Sequence, residues 1–474
     1  MNRPFQRLMA IVCSAVLLCA CALAEDGAAG QGKPDGASSR GNPPAQNGGT
    51  PPEKPDGVPD APGNMGAPPD SQPGGMGGPG GFGGSGTVTQ GTAATTLTES
   101  TTVSGGTFTS AGENENALRV MGDIDVSLSG VVVDKSGGDT SNTEDSDFYG
   151  QNAGLLAKDG ANVTIKNASI DTDAAGGNAV FSYGPGTIVT ISGSTIRTRM
   201  NNSGGIHVTG GGTLSAENLD VETYGNSAAA IRSDRGGGTL LADGGIYVTN
   251  VTGSPAVYST ANITVKNAEL TANHSEAIVV EGKNSVELEN CAVSGSMDGT
   301  YGGDSGENIH AVMIYQSMSG DADVGRSHFR MTGGSLTGLA GDLIYVTNTS
   351  CTIGLSGVSL TLANDNLLTV AGNPNCRGWG RAGENGGRCE MTADAQIMQG
   401  VITVDSISTL DLIMQNGTAY TGAINPDGQS GTVNVTLDGG SIWTLTADTF
   451  VTSFTGSLDS VVLNGFTLHV ANAE

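Results

Sequence analysis

The stretch NVTIKNASI, residues 162–170, decides the fold. Apolar and polar residues alternate through Val163, Thr164, Ile165 and Lys166, a period of two that belongs to a strand, and Asn167 punctuates a bend before the next apolar residue, Ile170. Variants recur roughly every 25 residues: IVTISGSTI (188–196), TLSAENLDV (213–221), NITVKNAEL (262–270), SVELENCAV (285–293), SHFRMTGGSL (327–336), CTIGLSGVSL (351–360) and SVVLNGFTLHV (460–470). Such self-similarity marks a solenoid, in which each short coil buries its apolar face only against its neighbours.

Anchoring each coil on its first inward residue gives Val126, Val163, Val189, Leu214, Leu241, Ile263, Val286, Phe329, Ile353, Met391, Leu412, Val435 and Val461. The residue seven further on is apolar in every case, from Val133 and Ile170 to Val248, Ala419, Ile442 and Leu468. Spacings of 21 to 27 residues mark plain coils, and longer gaps after Val126, Val286 and Ile353 hold insertions. Four residues past the anchor stand Asn167, Asn218, Asn267, Asn290 and Asn416, exchanging with glycines such as Gly130, Gly193, Gly245 and Gly439, as a left-handed bend requires; only Ala395 departs from the pattern. The coils lack a 3.6-residue period and the leucine-rich-repeat signature and are rich in Thr, Val and Ile, which leaves stacked parallel strands. Thirteen such coils at roughly 4.8 Å per rung predict a rod on the order of 60 Å long.

With SAAAIRSDRGGGT (227–239), SEAIVVEGKNSVEL (275–288), YQSMSGDADVG (315–325) and VDSISTL (404–410), the chain from Val103 onward resembles the right-handed parallel β-helix proteins of the pectin-lyase-like superfamily, and more narrowly bacterial surface proteins described as adhesin-like. That resemblance implies an all-β, right-handed parallel β-helix and supplies no catalytic map.

A further strand aligns in each coil: AVFSY (179–183), GIHVT (205–209), AIRSD (230–234), AVYST (256–260), AIVVE (277–281), AVMIY (311–315) and LIYVT (343–347). Alternation turns the second and fourth residues inward, so Phe181, His207, Arg232, Tyr258, Val279, Met313 and Tyr345 form one outward stripe beside Tyr183, Thr209, Asp234, Thr260, Glu281, Tyr315 and Thr347. Aromatic faces stack on sugar rings while carboxylates and Arg bind hydroxyls, so such a ladder suits an extended glycan. The plainer expectation is a solvated sheet held by cross-strand stacking.

The composition excludes some partners. Twenty basic against 47 acidic residues give a formal charge of −27, which repels nucleic acid and anionic lipid. Residues 1–24 read as an export signal, with Arg3 and Arg7 before the apolar run 8–18. Two cleavage readings stand: Ala22, Leu23 and Ala24 form an A-x-A site, whereas Leu18, Cys19, Ala20 and Cys21 resemble a lipobox that would leave lipid on Cys21. Residues 25–86 are too poor in aliphatics to bury a core and read as a disordered Gly/Pro/Asp-rich tether, and 87–474 form the β-helix. Beyond the signal stand Cys291, Cys351, Cys376 and Cys389; Cys376 and Cys389 bracket the third insertion, Cys351 and Cys389 begin adjacent coils, and the pairing stays open.

The expected function is that of an exported adhesin or glycan-binding module whose partner is a polysaccharide or host-surface glycan. Its ligand residues are Phe181, Tyr183, His207, Arg232, Asp234, Arg235, Tyr258, Glu281, Lys283, Tyr315, Tyr345 and Trp379, the last in an insertion that also carries Arg377, Arg381 and Arg388 and forms either a lid or a self-contained loop. The second expectation is a polysaccharide lyase or glycoside hydrolase using Asp234, Glu281 and Arg232, although the two carboxylates, two rungs or roughly 10 Å apart, stand at or beyond the separation of an inverting pair. A ligand-free surface spacer is the third. No cofactor is required; Asp171 with Asp173, or Asp321 with Asp323, offers Ca²⁺ a D-x-D pair or simply a solvated turn.

Overall fold

A computed structural model describes residues 88–300, 307–317, 319–374, 379–428 and 431–471. The export signal, the tether, Cys21, Cys376 and Arg377 lie outside the described residues. From Thr92 onward the chain is a parallel β-helix. One turn shows the construction: Asn162–Lys166, Ser169–Thr172 and Val180–Tyr183 lie on three faces, and Ile188–Ser192 then returns to pair parallel with Asn162–Lys166. The apolar residue seven past the anchor thus has a short strand of its own in this coil, whereas in Gly212–Thr223 and Gly238–Thr249 the first two strands run together as one. The third face is a twelve-stranded sheet running from Thr92–Leu97 to Val401–Val404.

Alternation decides the interior as expected. Val163, Ile165, Val189, Ile191, Val180, Ile206 and Ile231 are fully buried, and their columns join one continuous core. In the column of buried threonines, Thr198, Thr223 and Thr249 each donate to the carbonyl five residues on, at 2.5 Å, whereas the Thr172 hydroxyl one rung earlier has no hydrogen-bond partner among the described residues. The bend after the first strand is left-handed at Asn167 (φ 53°), Asn218, Asn267, Asn290 and Asn416, where a short amide tolerates a conformation most side chains refuse. Ala395 adopts it too, at φ 50°, whereas Gly439 does not.

Three features of the repeat differ from the expectation. The anchor column begins one coil before Val126, because Thr101–Ser104 pairs with Asp125–Ser129 and places Thr101, a polar residue, beside Val126. In the fifth anchored coil, Leu240 aligns with Leu214 and Ile263 and is buried, while Leu241 is exposed; Tyr247 rather than Val248 follows inside. Near the C-terminus the inward residues are Tyr420 and Trp443, one position beyond Ala419 and Ile442, and Val461 falls under Trp443 while Phe454 takes the anchor column.

The insertions decide what the third face presents. The first, between Lys135 and Leu155, contains the one α-helix among the described residues, α1 (Thr143–Tyr149). Asn142 caps it by accepting from the backbone N–H groups of Glu144 and Asp145, and Gly150 ends it at φ 72°. Helix α1 lies on the third face: Thr209 donates to the Phe148 carbonyl at 2.7 Å, and Asn116 to the Gly150 carbonyl at 2.8 Å. The segments after Tyr315 and after Val370 reach the same face, where the Trp379 ring packs edge-on against Tyr315 with centroids 4.9 Å apart.

Candidate functional site

Strand register sets Phe181, His207, Arg232, Tyr258, Val279, Met313 and Tyr345 in one unbroken outward column. The column is not open to solvent. Phe181 and His207 are fully buried, Arg232, Val279, Met313 and Tyr345 nearly so, and Tyr258 is half-buried, because the insertions cover the face. An exposed ladder along the whole flank is therefore replaced by a cavity of about 330 Å³ near its middle. Arg232, Asp234, Tyr258, Tyr315 and Trp379 line that cavity together with Asp147 from α1.

At one wall Arg232 stands between two carboxylates, with Nη2 2.9 Å from Asp147 Oδ2 and Nε 2.7 Å from Asp234 Oδ2, while Nη1 donates to the Ser227 carbonyl at 2.7 Å. Asn202 adds a donor to Asp147 Oδ2 at 3.0 Å. His207 Nε2 lies 3.1 Å from Asp234 Oδ2, outside hydrogen-bonding geometry. Arg235 stacks over the Phe148 ring at 4.2 Å and pairs with Asp321 at 2.9 Å, so one guanidinium joins the first two insertions.

Glu281, expected beside Asp234 as a catalytic carboxylate, does not line the cavity: almost wholly buried, it accepts from the Tyr258 hydroxyl at 2.5 Å, the Tyr315 hydroxyl at 2.8 Å and Ser317 Oγ. Three hydroxyl donors hold a carboxylate that burial would otherwise penalise. Burial nevertheless raises its carboxyl above the usual range, the hydroxyls opposing. Burial also pushes Asp147 up to about 6 and Asp234 up to about 7, with Arg232 opposing in both cases. It drives the His207 imidazole well down, with Arg232 adding to the effect, so His207 is neutral. Burial penalises the Arg232 charge as well, but Asp147 and Asp234 together outweigh it and the guanidinium stays charged.

These shifts fix a pH dependence. Asp147 and Asp234 bind protons more tightly folded than unfolded, so the folded state loses stability as pH rises through about 6 and 7. Below pH 6.5 the lowered His207 opposes the gain, because the unfolded imidazole takes up a proton that the folded one refuses. We expect stability to rise by about 1 kcal/mol between pH 8 and pH 6.5 and most of that gain to vanish in Asp234→Asn. Urea midpoints of the two proteins at both pH values check this.

The other expected site residues lie apart. Tyr183 packs edge-on against Tyr149 at 5.9 Å, Tyr345 donates to the Gly372 carbonyl at 3.3 Å, and Lys283 is exposed and pairs with Asp323 at 2.6 Å. Asp171 is engaged by Arg199, Asp321 by Arg235, and among the described residues no group of three or more His, Cys, Asp or Glu is placed to hold a metal ion. In the third insertion Arg381 pairs with Glu384 of the same loop at 3.3 Å. Cys351 and Cys389 are opposite one another on adjacent rungs, buried and not joined by a disulfide, and Cys291 donates to the Val265 carbonyl at 3.3 Å.

Sequence reasoning missed Asp147, Phe148 and Ser317, and it set Asp321 in a candidate Ca²⁺ pair rather than in this site; all four are supplied by insertions. One signal was available: Asn142 ahead of Glu144 and Asp145, closed by Gly150, has the form of a capped helix. No family model matches the chain, and neither a curated protein nor a solved structure matches it.

Proposed function

We propose that the protein is an exported, surface-displayed β-helix that works as an adhesin or glycan-binding module, binding one or two sugar units of a polysaccharide or host glycan in the covered cavity. One observation carries this reading: the rings of Tyr258, Tyr315 and Trp379 border the same 330 Å³ space as Arg232 and Asp234, pairing stacking faces with hydroxyl-binding groups in a volume that suits small ligands. A glycan array read with the intact protein is the test. Tyr258→Ala and Trp379→Ala are expected to weaken the best glycan about 10- to 100-fold while leaving the fold intact by circular dichroism. An array empty under every condition sinks this reading and favours a spacer without a ligand.

A second reading, a polysaccharide lyase or glycoside hydrolase, draws on the carboxyls of Asp147 and Asp234, which flank Arg232 in the cavity wall and take up protons near neutrality. Reducing-sugar and unsaturated-product assays on the bound glycans separate the two: binding without product supports the module, and product formation abolished by Asp234→Asn supports the enzyme. Attachment through lipid on Cys21 is a separate proposal, checked by the mass of the mature N-terminal peptide.

A further inference from the structure

Two thiols face each other inside the stack. Strand register places Cys351, the second residue of Ser350–Ser356, directly opposite Cys389, the second residue of Arg388–Asp394, and both side chains point into the continuous core. A hydrogen bond between the two thiols, together with burial, pushes the Cys389 thiol well above its usual range. Parallel neighbours lie about 4.8 Å apart, within the Cα separations of about 4.4–6.8 Å that a disulfide spans. Their Cβ atoms point the same way and need to close by only a few tenths of an ångström to reach the disulfide range of about 3.5–4.5 Å. Cys291 is placed differently: Ala268 and Gly334 take its position on the rungs to either side, and its thiol donates to a carbonyl. Cys389 is only 2% exposed, so any other cysteine would have to enter the core to reach it, whereas Cys351 is already beside it.

We propose that Cys351 and Cys389 are the site of an inter-rung disulfide, formed as the chain folds in contact with a disulfide oxidant such as glutathione disulfide or an oxidised dithiol enzyme. In the exchange the Sγ–Sγ bond forms, the two thiols give up two electrons and two protons, and the oxidant's own S–S bond is reduced to two thiols. Exchange needs a thiolate and access, and the finished stack denies Cys389 both, so the bond closes before Arg388–Asp394 docks on Ser350–Ser356. It encloses residues 351–389, which include Trp379, and so ties down the segment that brings that ring to the cavity. The inference rests on the export reading only for where the oxidant is met.

The chain from Glu25 onward, made in a reducing cytoplasm, is unfolded in urea and refolded with a mixture of reduced and oxidised glutathione, then alkylated, digested without reductant and mapped by mass spectrometry. The same map is made of protein collected after export. Both should show one linked pair, Cys351 with Cys389, and alkyl groups on Cys291 and Cys376. Reducing the pair should raise the unfolding equilibrium constant by at least about tenfold, read from urea melts, and Cys351→Ala should abolish that difference. Cys376→Ala should keep both the link and the difference. Protein folded with its thiols reduced and given glutathione disulfide only afterwards should acquire the link at least about tenfold more slowly than the refolding chain. A link from Cys389 to Cys376, or thiols alkylated throughout after refolding, overturns the assignment. A link on refolding with free thiols in the exported protein upholds the pair and overturns the premise that the chain meets an oxidant on its way out.

Discussion

Replacing Arg232 by Leu destabilises the middle of the solenoid by about 3–5 kcal/mol at pH 8, the loss expected when one partner of a buried ion cluster is removed. The variant strands Asp147 and Asp234 as two like charges in a wall where Arg232 supplied bonds of 2.9 and 2.7 Å to them. Their carboxyls already favour the protonated form, at about 6 and about 7, and without the guanidinium they favour it more strongly. The damage is therefore smaller at pH 5 than at pH 8, which is the reverse of what a simple packing defect gives. Adding Asp147→Asn and Asp234→Asn to the Arg232→Leu chain should recover most of the loss at pH 8, because neutral amides do not repel. Urea denaturation of the three proteins at both pH values measures this, and a pH-independent loss would show that Arg232 acts by volume alone.

A second large effect lies near the other end. Trp443 is fully buried, stacks on Tyr420 with centroids 5.8 Å apart, and donates from Nε1 to the Gly422 carbonyl at 3.1 Å. Trp443→Ala removes the contacts and orphans that carbonyl, costing about 3–5 kcal/mol. In a stack whose coils touch only their neighbours, such damage stays local. Hydrogen exchange should accelerate across the last coils, from Ala419–Thr421 to Leu468–Val470, while amides in Ile231–Ser233 keep their protection. Faster exchange spread evenly along the chain would instead mean that the coils unfold as one unit.

The two substitutions also separate what the sequence discloses from what it conceals. A period of two identifies inward residues wherever one side of a pair is polar, as at Val163 beside Thr164, and there expectation and structure agree. It fails where adjacent residues are both apolar: Leu240 with Leu241 and Ile442 with Trp443 each offer two frames, and the pattern within the coil cannot choose between them. The neighbouring rungs choose, since Leu240 must stack between Leu214 and Ile263. The same limit applies to the site. Its floor, from Arg232 to Tyr258, is periodic and was legible; its roof comes from insertions with no repeat, placed by contacts such as Thr209 to Phe148 across 61 residues. Burial of the outward column therefore had no local signal, and an open track was the natural expectation.

Helix α1 hangs from the loop that re-enters at Leu155–Lys158, yet its Asp147 meets Arg232 on Ile231–Ser233, three steps further along the sheet by way of Val180–Tyr183 and Ile206–Thr209. The overhang spans roughly 14 Å at the usual strand spacing. The arm is thus a gauge cut to a fixed tally of turns. Excising one complete turn, residues 180–205, would preserve the inward and outward alternation and leave a well-wound but shorter protein, in which the aspartate arrives opposite Tyr258 and its arginine has slipped out of reach. In this molecule the length of the scaffold is itself part of what builds the cavity wall.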